Sequence, residues 1–187
     1  MARPHRIVEA GGFYHVGSRG NSKQPIYWDQ FDRIFFLTAL TRVVRRYRWI
    51  VYAYCLMTNH YHLVLRTPAD GFSPGLQLLN GNHSRRTNRR HGRESHLFKN
   101  RPFAKQVMSD AHLVAAILYA LRNPVAAGVC RRASDWPYSS YRATAGTADA
   151  PPWLNVDALH ELFGGPEEFA RLVRDGHLPV SDTNGSR

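Results

Sequence analysis

Apolar residues recur with two different periods along this chain, and the changes of period set out its elements. Gly12-Phe13-Tyr14-His15-Val16-Gly17 reads as a strand closed by the turn residues Ser18-Arg19-Gly20-Asn21. From Asp29, a residue type suited to a helix N-cap, Phe31, Ile34, Phe35, Leu37, Leu40, Val43 and Val44 recur at helical spacing to about Tyr47. Residues 49–57 are too rich in aromatic and branched side chains for anything but a strand. Thr58-Asn59 is a polar interruption suited to a hairpin turn, and residues 60–66 read as the returning strand. Ser73-Pro74 predicts the start of a second helix, with proline in its first turn, running to about residue 92. A short strand is expected around 102–106. A third helix over about 110–121 is expected to stop before Asn123-Pro124, since the residue preceding proline disfavours helix.

Strand, helix, strand, strand, helix, strand is the ferredoxin-like order. It predicts an α+β fold, an antiparallel sheet with helices on one face. Past Gly146 the pattern changes. Ala150-Pro151-Pro152 reads as a linker, followed by two short helices over 156–163 and 166–174. The expected organisation is therefore a body of residues 1–146 and a small acidic helical tail of residues 147–187.

Charge then narrows the function. The net charge is +11, but the excess sits in residues 1–148, which hold 22 basic and 7 acidic residues, whereas residues 149–187 hold 3 and 7. A basic body of this kind suits a polyanionic partner, most often nucleic acid. Arg85, Arg86, Arg89, Arg90, Arg93, Lys99 and Arg101 are opposed only by Glu94 over residues 85–101, an excess suited to phosphate contact; on a helix Arg85 with Arg89 and Arg86 with Arg90 form adjacent rows. Arg3, His5 and Arg6 form a short basic arm at the N-terminus. An RNA-binding module of the RRM type would require paired aromatics in an RNP pattern on the central strands, and that pattern is absent. Cys55 and Cys130 are too few for a disulfide framework, and no apolar h-region or transmembrane run is visible, so a reducing cytoplasm is the expected setting.

His60 and His62 supply the candidate chemistry. One residue apart on a strand, their imidazoles project to the same face, where two neutral rings can chelate a divalent ion. Taken alone, such a pair reads as structural. Tyr119 and Asn123 lie one helical turn apart, so they could present a nucleophile and a third ligand to one spot, or simply a packed aromatic and a helix stop. Trp136, Tyr138 and Tyr141 either pack the last part of the body onto the sheet or stack on unpaired bases.

The combination has a resemblance. Met57-Thr58-Asn59-His60-Tyr61-His62-Leu63-Val64-Leu65 resembles the HUH motif of single-tyrosine transposases, two histidines flanking a hydrophobic residue. Residues 119–129, Tyr-Ala-Leu-Arg-Asn-Pro-Val-Ala-Ala-Gly-Val, are similar to the tyrosine helix and Asn-Pro-Val segment of the same family. Trp136-Pro137-Tyr138-Ser139-Ser140-Tyr141 resembles the element that follows it. The branch most resembled is that of the REP-associated tyrosine transposases, relatives of the small insertion-sequence transposases, over roughly residues 10–143. Thr58 stands where that family commonly has proline, and Arg122 and residues 95–101 also depart from its usual text, which leaves the recognised DNA sequence open.

The resemblance implies a metal-dependent, single-stranded DNA endonuclease and strand transferase that cleaves beside palindromic hairpins. Tyr119 would be the nucleophile, forming a 5′-phosphotyrosine. His60, His62 and Asn123 would hold the metal, Mg2+ or Mn2+ by the hardness of the ligands and substrate. The setting implied is the nucleoid, and relatives act as homodimers or monomers. The competing expectation is a domesticated hairpin-binding protein without cleavage activity.

Overall fold

The computed structural model describes residues 8–176; the basic arm of Arg3, His5 and Arg6 lies outside them. Its elements are β1 (Phe13–Arg19), α1 (Gln30–Tyr47), β2 (Ile50–Leu56), β3 (His60–Arg66), α2 (Ala69–Arg90), β4 (Phe103–Val107), α3 (Asp110–Ala126), α4 (Tyr141–Thr144), α5 (Val156–Phe163) and α6 (Pro166–Asp175). The four strands form one antiparallel sheet in the order β2-β3-β1-β4, the ferredoxin-like arrangement expected from the element order.

Side-chain alternation along the central strands divides the core in two. Tyr14 and Val16 of β1 and Tyr61, Leu63 and Leu65 of β3 face α1 and α2, where they pack with Phe36, Leu40, Phe72, Leu76 and Leu79. Phe13 and Val64 face α3, where they pack with Leu113, Ile117 and Leu121. The two helices of the βαββαβ unit thus share one face, and α3 covers part of the other.

Local sequence explains most boundaries. The Asp29 carboxylate caps α1 by accepting from the Asp32 N–H, and the Ser109 hydroxyl caps α3 by accepting from the His112 N–H. Asn155 caps α5, and Pro166 opens α6. Three boundaries differ from expectation. Strand β1 runs on through Ser18 and Arg19, read as turn residues, because they pair with Tyr61 and His60 of β3. Helix α2 begins about a turn before Ser73-Pro74, because Phe72 is fully buried against Tyr14, with ring centroids 4.6 Å apart, and the Trp49 indole donates to the Gly71 carbonyl. Tertiary anchoring thereby holds a turn that proline would not nucleate. Helix α3 continues through Asn123-Pro124 to Ala126. Pro124 is buried, and the Ala127 and Val129 N–H groups still find the carbonyls of Asn123 and Pro124.

Past residue 130 the chain returns to the free edge of β2. The Leu56 N–H donates to Tyr138, the Ser140 N–H to Tyr54 and the Asn155 N–H to Val51. Trp136 and Tyr138 are used structurally: the Trp136 indole donates to the Leu56 carbonyl, and the Arg33 guanidinium lies 4.1 Å from the Tyr138 ring centroid. Tyr141 packs on Phe169. Leu159, Phe163, Phe169, Leu172 and Val173 of the tail join the α3 side of the core, and the Arg122 guanidinium donates to the last carbonyls of α6. No described helix is long and apolar enough to cross a membrane.

Candidate functional site

The β3 register decides what His60 and His62 meet. His62 pairs with Gly17 and His60 with Arg19 across the β1–β3 ladder. Because residues two apart share a face, His15 of β1 lies diagonally beside His62. Gly17 is the floor of this region: a Cβ there would collide with the Phe103 ring and the Tyr61 carbonyl, so only glycine lets the Phe103 ring of the neighbouring β4 lie against the strand pair.

Above this floor α3 lays Tyr119, 58% exposed, with its ring edge-on to both His62 and His15 at centroid distances of 5.4 and 5.6 Å. One turn on, Asn123 Oδ1 stands 3.0 Å from His60 Nε2. The cleft so formed encloses about 340 Å³, and Arg19, Lys99 and Arg101 complete its wall. The 97–101 segment is fixed to the end of β1 by a Gly20–Phe98 bridge and by the Lys99 N–H donating to the Arg19 carbonyl.

Hydrogen bonding around the histidines is incomplete in an informative way. His60 Nδ1 lies 2.7 Å from Asn59 Oδ1, while its Nε2 faces Asn123 Oδ1. Burial drives the His60 pKa below the usual histidine range; the Asn123 contact opposes this and Arg19 adds to it. A neutral ring has one proton for these two oxygens, so one nitrogen meets an acceptor without a donor. His62 is 5% exposed; its Nδ1 lies 3.0 Å from His15 Nε2, and its Nε2 is buried with no hydrogen-bond partner. Burial is the main cause holding His62 down at about 3, with His15, His60 and Arg19 adding to it. His15 is held at about 4 by burial, then by Lys105 and His112. Neutral imidazole nitrogens without donors, next to a carboxamide oxygen, are a donor set that fits a divalent cation. Among the described residues no group of three or more His, Cys, Asp or Glu side chains is arranged to hold a metal.

The seven cations expected to meet DNA separate into two places. Lys99 and Arg101 line the cleft, whereas Arg85, Arg86, Arg89 and Arg90 lie on α2, which packs on the opposite face of the sheet, and Arg93 lies just past its end. Arg85 donates to Asn82, and Arg86 covers the Phe35 ring. Arg90 is committed to Asp29 and Asp32 at 2.6 and 2.7 Å, and Arg93 donates to Gln24 beside the Trp28 ring. Three residues of the site, Gly17 and Arg19 in the cleft and His15 beside His62, escape a reading of the sequence, because only strand register brings them to the histidines.

Residues 12–116 match the family described as Transposase IS200 like, more than half of the chain. The chain belongs to this transposase family. The matched stretch contains His60 and His62 and ends three residues before Tyr119. A Haemophilus influenzae protein that carries the name REP-associated tyrosine transposase is 26% identical over 152 residues, covering 75% of this chain and 86% of that one. Among solved structures, a REP-associated tyrosine transposase bound to a REP hairpin superposes with a TM-score of 0.66 at 19% identity, covering 81% of this chain and 89% of that one. Membership fixes a DNA-processing role for this transposase-family chain, and the superposition extends the shared fold beyond the matched residues.

Proposed function

We propose that this chain is a divalent-metal-dependent, single-stranded DNA endonuclease and strand transferase that acts beside hairpins through Tyr119. The observation that carries the reading is the half-exposed Tyr119 ring lying against His62, in a cleft that His60 also lines and three cations wall, with Asn123 in contact with His60. The hairpin as partner rests on the fold shared with the hairpin-bound relative and on the basic character of the body.

His60 Nε2, His62 Nε2 and Asn123 Oδ1 would hold Mg2+ or Mn2+, and that ion supplies charge neutralisation at a non-bridging phosphate oxygen, worth on the order of several kcal/mol of barrier. Arg19, Lys99 and Arg101 bind neighbouring phosphates and draw the strand into the cleft. The edge contacts with His62 and His15 hold the Tyr119 ring in one orientation, which reduces the entropic cost of in-line attack. The phenolic oxygen forms a bond to phosphorus as the bond to the 3′ oxygen breaks; the phenol gives up its proton and the 3′ oxygen gains one. The product is a 5′-phosphotyrosine and a free 3′-OH, and a 3′-OH can reverse the step without ATP because the phosphodiester energy is kept.

The test is a denaturing protein gel with hairpin-bearing single-stranded oligonucleotides and Mn2+, run for wild type beside Tyr119→Phe. A DNA-shifted band in wild type alone is the expected result. A band that persists in Tyr119→Phe identifies another nucleophile. Tight hairpin binding with no shifted band in either makes the chain a non-cleaving hairpin-binding protein.

A further inference from the structure

We propose that His15 is a positioning residue that fixes the tautomer of His62 and so keeps Nε2 of this cleft-lining ring free of a proton. The proposal deepens the reading of His62 as a metal ligand and rests on it.

The argument starts from a proton count. His15 Nε2 and His62 Nδ1 are 3.0 Å apart, both rings are buried, and a nitrogen–nitrogen contact of that length needs one proton between them. Two arrangements satisfy this. If His15 donates, His62 must carry its own proton on Nε2, a buried atom with no acceptor in reach. If His62 donates from Nδ1, Nε2 is left as an unprotonated lone pair, the form a metal requires. Buried N–H groups without acceptors are rare in folded proteins, so the second arrangement is preferred even before any metal binds.

The fold holds His15 to this task. It lies on β1 opposite Val64, so the ladder sets its distance from His62. Its ring is framed edge-on by Phe103 at 5.3 Å and by Tyr119 at 5.6 Å, which restricts its rotation. Histidines that bind metals are ordinarily oriented by an acceptor on the other ring nitrogen, commonly a carboxylate or a carbonyl. Here a second imidazole occupies that position, and it also packs on the proposed nucleophile.

The decisive measurement is the tautomer of His62 in the metal-free protein at neutral pH, by long-range proton–nitrogen correlation NMR with the signal assigned through its loss in His62→Asn. The Nδ1–H form is expected, and an Nε2–H form overturns the proposal. Mn2+ affinity by calorimetry then follows for wild type, His15→Phe and His15→Gln. His15→Phe should lose roughly ten- to a hundred-fold in affinity, whereas His15→Gln, whose carbonyl can accept from Nδ1–H, should recover most of it. Equal affinity for His15→Phe and wild type overturns the proposal, as does an equal loss in both variants. A wild type that binds no Mn2+ would remove the ligand reading of His62, while the tautomer spectrum would still decide what His15 does.

Discussion

Strand β3 presents two surfaces made from alternate residues of one seven-residue segment. On one side Tyr61, Leu63 and Leu65 are fully buried beneath α1 and α2. On the other, Val64 is sealed beneath α3, but His60 and His62 border a cleft that Tyr119, Phe103, Lys99 and Arg101 also line. His62 is nearly as buried as Leu63, so depth does not distinguish the two sides. Nor does an unanswered nitrogen by itself: His83 Nδ1 also lacks a partner, yet it is enclosed by the rings of Tyr27, Phe36 and Phe98. The difference is an unanswered nitrogen on a residue that lines a volume a ligand can enter, with groups able to act on that ligand around it. A buried polar atom enclosed by rings belongs to packing, and one at the edge of a charged cleft is a candidate for chemistry.

Neighbouring substitutions on β3 should separate the two surfaces most strongly. His62→Ala is expected to abolish Mn2+ binding in calorimetry and to cost less stability than the apolar neighbour, since it removes less apolar surface. Leu63→Ala, one residue further on, should cost about 2–5 kcal/mol of stability through lost burial and a residual cavity, and its folded fraction should still bind Mn2+. Similar stability losses with metal binding retained in both would make the histidine face an ordinary packing surface.

The basic residues allow a subtler version of the same test. Arg19, Lys99 and Arg101 surround the cleft, while the arginines of α2 lie across the sheet from it. Replacing the three cleft cations with glutamine should lower the salt slope for an unstructured single strand by about 2, at roughly 0.7 per phosphate contact. Replacing Arg85, Arg86 and Arg89 should leave that slope unchanged and lower it only for hairpin-bearing DNA. Equal slopes for the two triple variants on the unstructured strand would mean that it runs over both faces.

What could be read in advance follows the range of the interactions that decide it. The bounds of α5 and β3 are legible because turn and cap residues beside them, Asn155 and Gly164 for the helix and Thr58-Asn59 for the strand, act locally. The two histidines and the Tyr119–Asn123 pair are legible because strand and helix periods fix which side chains share a face. The early start of α2 is not, since it depends on Phe72 meeting Tyr14, 58 residues earlier in the chain. Arg19, Gly17 and His15 are hidden for the same reason: each becomes part of the site through the pairing of β1 with β3. The arginine run shows the limit most plainly. Arg89 and Arg90 are adjacent and identical in type, yet Arg90 alone meets Asp29 and Asp32, some sixty residues away.

That last contrast yields the smallest expected effect. The hydrogen bond from Arg90 holds the Asp29 carboxyl at about 2. For Asp32 burial pushes the pKa up, but hydrogen bonds from the Trp28 N–H, Arg90 and His91 outweigh it and the net direction is down. An aspartate in the unfolded chain takes up its proton near 4, so the unfolded state binds more protons than the folded state as pH falls below that value. The stabilisation is therefore present above about pH 4 and is lost as pH falls from about 4 toward 2. Because Arg90 and Asp29 are partly exposed, the gain at neutral pH is modest. Arg90→Gln should lower the melting temperature slightly at pH 7 and flatten its decline between pH 4 and 2, and Arg89→Gln should do neither. Matching acid profiles for the two variants would mean that the Arg90 contacts carry no more stabilisation than an arginine in solvent, leaving the whole α2 row available to phosphate.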